Sequence, residues 1–177
     1  MKRAWILFHL LLLAVSASHA TAQAAGMSEY AVKSALFFKL PQFVYRQDAA
    51  REKPLAICLL GSNPFGGALE KLARMPIDGR EVRYSKLDAA IDAASCNFVF
   101  ISGSETDNLD GILRRLAALP VVTVSDIEGF ARAGGMVELA HGGEGAAVSI
   151  LINLKAARRQ NISFNAQLLR LAKVVEP

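Results

Sequence analysis

Three apolar runs of strand length govern what this chain can become. Leu55-Ala-Ile-Cys-Leu-Leu60 stops at Gly61, Asn97-Phe-Val-Phe-Ile101 stops at Ser102, and the run from Val121 to Val124 stops at Ser125. A strand that is apolar at consecutive positions is buried on both faces, the environment of a central parallel strand rather than of a half-solvated antiparallel one. Between these runs the spacing turns helical. Leu109, Ile112, Leu113 and Leu116 share one face of a helix predicted over residues 108–119. Phe65 to Ala73 is a second helix, with Asn63 as its N-cap and Pro64 at its first position. Glu81 to Tyr84 reads as a short strand and Leu87 to Ala94 as a short helix. Strand and helix in alternation predict an α/β fold, a mostly parallel sheet with helices on both faces.

The rhythm differs at the two ends. Ser28 to Leu40 carries Val32, Ala35, Leu36 and Lys39 at helical spacing, with Pro41 to end or kink the helix. After Phe130, Met136 to Ala140 and Ala146 to Leu151 flank His141-Gly-Gly-Glu-Gly145, which predicts a C-terminal antiparallel hairpin added to the sheet. Asn153 is placed to cap a helix through Arg159, and Ala166 to Val174 reads as a final helical or extended segment.

Before all of this stands a leader pattern. Lys2 and Arg3 precede an apolar stretch from Trp5 to Val15, and Ala20-Thr-Ala22 offers small residues for cleavage, so residues 1–22 are expected to be a signal peptide cut near Ala22. The stretch is too short for the roughly 20 residues of a membrane span. Residues 23–177 then form a single domain in an oxidising, exported compartment. Without Lys2 and Arg3 the 20 Lys and Arg fall to 18 against 16 Asp and Glu, with no basic run or arginine-rich face. This balance gives no reason to expect a nucleic-acid partner. Cys58 and Cys96, 38 positions apart, are an even count in such a compartment, which favours a disulfide worth roughly 4 kcal/mol in the chain-entropy model. Two buried free thiols are the alternative. Two cysteines and one remaining histidine give too few soft ligands for a metal, and no cofactor motif is present.

Chemistry is sparse. Once the leader is removed His141 is the sole histidine, it sits in a glycine-rich turn, and no Gly-x-Ser-x-Gly elbow accompanies it. Asp126 and Glu128 are two carboxylates two positions apart, but Ser125 or Asp126 capping a short following helix is the simpler account. The carboxyl ends of parallel strands are the usual place for a ligand crevice, which makes Gly61, Ser62, Ser125 and Asp126 the candidate small-ligand residues. Lys155, Arg158 and Arg159 gather at the end of their helix beside apolar Ile152 and Leu154, a combination that suits a reversible protein interface. Ile152 and Leu154 facing the core is the competing account.

Placed in order, several stretches resemble the YfiR family (DUF4154 domain). They are Glu29 to Lys39 with Phe43-Val44, Ile57 to Gly66, Ile77-Asp-Gly-Arg-Glu-Val82, Val122-Thr-Val-Ser-Asp-Ile-Glu-Gly-Phe-Ala131 with Gly134-Gly-Met136, Ile152 to Arg158, Ile162-Ser163 and Gln167 to Ala172. The resemblance implies a periplasmic, non-catalytic protein that binds the periplasmic sensor domain of an inner-membrane diguanylate cyclase and represses cyclic di-GMP synthesis, and with it biofilm formation. It implies an outer-membrane lipoprotein as a second partner, a capacity to form a homodimer, and a disulfide at Cys58 and Cys96. The second disulfide of the family's best-known member is absent, because Glu138 to Ile152 contains no cysteine. Tyr45-Arg-Gln47 also replaces the common Trp-Pro. Since the domain occurs beside diverse sensors, the alternative is a small-ligand-sensing module acting on another membrane sensor such as a histidine kinase. An exported hydrolase using His141 or Asp126 is the third and weakest reading.

Overall fold

The computed structural model describes residues 20–46, 54–142 and 148–176, with side chains of the first helix described from residue 29. The expected leader lies outside the described residues up to residue 19. A seven-stranded sheet forms the centre. Its members are β2 (Leu55–Leu60), β3 (Val82–Leu87), β4 (Phe98–Ile101), β5 (Val122–Ser125), β6 (Val137–His141), β7 (Val148–Ile152) and β9 (Lys173–Val174), in the order β3-β2-β4-β5-β6-β7-β9. All neighbours pair in parallel except β6 with β7, which are antiparallel with Val137 opposite Ile152 and His141 opposite Val148. The predicted parallel sheet and C-terminal antiparallel pair are both present; turn residues Gly143, Glu144 and Gly145 lie outside the described residues.

The apolar runs occupy the middle of this sheet because their side chains serve two cores. Ile57, Leu59, Phe98, Phe100, Val122 and Val124 point to one face, where Phe37 and Phe38 of α1 (Ala20–Lys39) and Leu69 of α2 (Ala68–Leu72) cover them. Cys58, Leu60, Val99 and Ile101 point to the other, under Ala90 and Ala93 of a 3-10 turn (Ala90–Ser95) and Ile112 and Leu116 of α3 (Leu109–Leu116). Helices therefore cover both faces, as the alternation predicts.

Local chemistry sets the boundaries, and it moves several of the predicted ones. Pro41 has no N–H to offer the carbonyl of Phe37, so α1 gives way to a 3-10 turn over Leu40–Phe43. The buried stripe of α1 is Lys33, Ser34, Phe37 and Phe38, whereas Ala35 and Lys39 are exposed and Val32 and Leu36 half-buried. The expected face is thus rotated, because the two phenylalanines set the phase. Asn63 does not cap α2: its Oδ1 accepts from the Phe65 N–H at 2.8 Å and its Nδ2 donates to the Gly66 carbonyl at 2.7 Å, a turn that delays the helix to Ala68. Asn153 does cap α4 (Leu154–Arg159), accepting from the Ala156 N–H at 2.9 Å. The final segment is helix and then strand, α5 (Ala166–Leu171) followed by β9. One element is unexpected: β1 (Val44–Arg46) pairs antiparallel with β8 (Ile162–Phe164) as a separate two-stranded sheet.

Candidate functional site

Because β2 lies between β3 and β4, the chain reverses direction across the sheet there, and the carboxyl ends of β2 and β4 form the switch point where such sheets bind ligands. Here the chain fills that point itself. The Ser62 N–H donates to Ser104 Oγ at 2.9 Å, and Ser104 donates in turn to Glu105 at 3.3 Å. Gly61, at φ 93°, has no room for a side chain: an added Cβ would stand 2.5 Å from Ser104 Oγ and 2.9 Å from the Glu105 carboxylate.

Ser125 and Asp126, further along the same edge, are also engaged internally. The buried Ser125 hydroxyl donates to the Ile101 carbonyl at 2.7 Å and accepts from the Ile127 N–H at 3.0 Å. Asp126, its side chain 5% exposed, faces Lys33 at 3.4 Å, and Lys33 also meets Glu29 at 2.7 Å. The four candidate ligand residues therefore do not share an open crevice. Gly61 and Ser62 close on Ser104, Ser125 bonds back to the Ile101 carbonyl, and Asp126 faces Lys33 of α1.

The segment after β5 shows why its sequence is so specific. Buried Glu138 of β6 accepts from the N–H groups of Gly129 and Ala131 at 3.1 and 3.0 Å, Asn153 donates to the Ala131 carbonyl at 2.8 Å, and Thr123 accepts from the Met136 N–H at 3.0 Å. Three side chains, through four hydrogen bonds, thus satisfy the backbone of a loop that would otherwise be buried without partners. Gly135 lies directly under the Phe130 ring, where a methyl group would collide. The loop fixes Asp126, and Asp126 holds α1.

Around that clasp the electrostatics are local. The Lys33 hydrogen bond holds the Glu29 carboxyl below its usual range, with His141 assisting and burial opposing. Burial, and next the Asp126 charge, push the Tyr30 phenol up. His141, 81% exposed, meets Glu29 at 2.9 Å. Its partner is a carboxylate of α1 and not a nucleophile. Among the described residues no His, Cys, Asp and Glu group has the arrangement of a metal site.

Cys58 of β2 and Cys96, just before β4, form a disulfide with 6.1 Å between Cα atoms. It is buried on the α3 side of the sheet.

The predicted interface residues divide. Ile152 is fully buried in the sheet, so it is a core residue and not an anchor for a partner. Leu154, Lys155, Arg158 and Arg159 instead line a cleft of ≈ 660 Å³ whose opposite wall is Val174, Val175 and Glu176. Lys155, Arg158 and Arg159 are exposed, and none of them joins an ion pair among the described residues. Sequence reasoning missed this second wall, since a two-residue strand leaves no periodicity to detect.

Among the described residues no helix is long and apolar enough to cross a membrane. A family model for YfiR/HmsC-like proteins, DUF4154, matches residues 30–173. No curated protein matches the sequence significantly. Solved structures share the fold, among them these two. A conserved domain protein from Vibrio cholerae is 10% identical over 84% of this chain, with a TM-score of 0.60. The ABC domain in complex with L-Trp from Streptococcus pneumoniae is 12% identical over 82%, with a TM-score of 0.53. This chain spans 60% of the length of each.

Proposed function

The chain belongs to the YfiR/HmsC-like family, and on that premise we propose that it is a non-catalytic periplasmic regulator. It docks on the periplasmic sensor domain of an inner-membrane diguanylate cyclase and represses cyclic di-GMP synthesis. The observation that carries the docking surface is the cleft between α4 and residues 174–176, where three cations without an ion pair among the described residues border Leu154, Val174 and Val175. Apolar floor with charged rim is the anatomy of a reversible interface. The buried disulfide suits an oxidising compartment. The filled switch point, and a His141 whose partner among the described residues is the Glu29 carboxylate, favour a binding role over a catalytic one.

The test is intracellular cyclic di-GMP in the native host. Deletion should raise it several-fold and the wild-type gene should restore it, whereas an Arg158→Glu/Arg159→Glu double variant, exported to the same level, should not. Unchanged cyclic di-GMP on deletion would redirect the reading to another membrane sensor, such as a histidine kinase. Full restoration by the double variant would remove the cleft from the docking surface.

A further inference from the structure

The two edges of the seven-stranded sheet are finished differently. At one edge β3 exposes Arg83 and Lys86, charges that discourage a further strand. At the other, β9 is flanked by apolar side chains in water, with Leu171 71% and Val174 51% exposed. The Val175 N–H donates to the Ile152 carbonyl at 2.9 Å, so Val175 directs its backbone groups toward β7. Successive strand residues direct these groups to opposite sides, which turns the N–H and C=O of Val174 outward. Among the described residues no strand lies beyond β9.

We infer that this edge receives an extended acidic segment of the partner as an eighth strand, its carboxylates facing Lys155, Arg158 and Arg159 and its apolar side chains covering Leu171 and Val174. The inference rests on the docking reading and specifies its mode. An extended segment fits better than a helix because the outward Val174 groups need main-chain partners, and a helix has already used its own. It is acidic because the cleft holds three cations against the single carboxylate of Glu176. A second copy of the chain pairing through its seven-stranded sheet is a poor occupant, since the edges of that sheet offer Arg83, Lys86 and Lys173 to a basic cleft.

The experiment uses the mature protein and the purified periplasmic domains of the host's inner-membrane diguanylate cyclases, titrated one at a time. Val174→Pro removes an N–H that the fold does not use, at a position where an edge strand tolerates proline. It should weaken binding about tenfold, equivalent to about 1.4 kcal/mol, while Val174→Ala stays near wild type. In the wild-type complex, hydrogen exchange should slow at the Val174 amide and change little at Val175, a readout that needs no variant. Equal binding by wild type and Val174→Pro with unprotected Val174 overturns strand addition and leaves docking standing. Equal losses in Val174→Pro and Val174→Ala also overturn it, because the contact would then belong to the side chain. Wild type binding none of the domains takes down the docking reading and strand addition together.

Discussion

Burying a lysine costs several kcal/mol unless its charge is matched, and Lys33 is matched by two carboxylates from different elements, Glu29 of α1 and Asp126 beyond β5. Its ammonium also lies 5.1 Å from the Tyr30 ring centroid. Lys33→Met keeps the length of the side chain but strands the buried Asp126 carboxylate. The expected loss is about 3 kcal/mol, the scale for breaking a buried pair, seen as a lower urea midpoint, and Lys33→Met/Asp126→Asn should recover most of it. A single variant as stable as wild type would show that the clasp contributes no net stability. Gly135 gives a second residue-level prediction. A Cβ there meets the Phe130 ring, which is fully buried and has nowhere to retreat. Gly135→Ala should therefore cost about 2 kcal/mol by overpacking, measured by the same denaturation, while Gly134→Ser, which meets open space but at φ 115°, tests backbone strain separately.

At the scale of elements, legibility followed burial. β2, β4 and β5 could be read from the sequence because strands covered on both faces are apolar at consecutive positions. The phase of α1 could not, since hydrophobic pattern reading sends a lysine to solvent and the buried carboxylate that meets Lys33 across the fold stands 93 positions away. β1 and β8 were invisible for a related reason: three residues each, and a pairing between Val44 and Phe164 that no local signal announces. The candidate site was legible in the same uneven way. Its cations stand together on α4, so Lys155, Arg158 and Arg159 were found together. Ile152 is open between core and interface at the level of sequence, because an apolar residue next to a charged helix looks alike whether it faces core or solvent, and its burial settles it as core. The opposite wall depends on β9 joining β7 in space.

The whole molecule should show a stability maximum bounded by titrations with known signs, Glu29 on the acid side and Tyr84 together with Tyr30 on the alkaline side. Glu29 has a folded pKa below its ordinary 4.5, so its contribution is complete above that value and is lost as pH falls through the lower folded one. Tyr84 runs the other way: burial, and secondarily Glu70, push it up to about 12 from 10.0. Its contribution is complete below 10.0 and disappears as pH rises through about 12. Thermal midpoints measured across this range should fall at both ends, with Glu29→Gln flattening the acid arm and Tyr84→Phe the alkaline one. The disulfide has a different reach. β2, which carries Cys58, and β9 are separated by five strand steps, roughly 24 Å at the usual inter-strand spacing. A brace that far from the cleft cannot reshape it bond by bond. Loss of the bridge would act by headcount: fewer folded molecules to occupy their partners, each still gripping with undiminished strength, so that oxidative conditions in the compartment set the dose of regulator and leave its affinity alone.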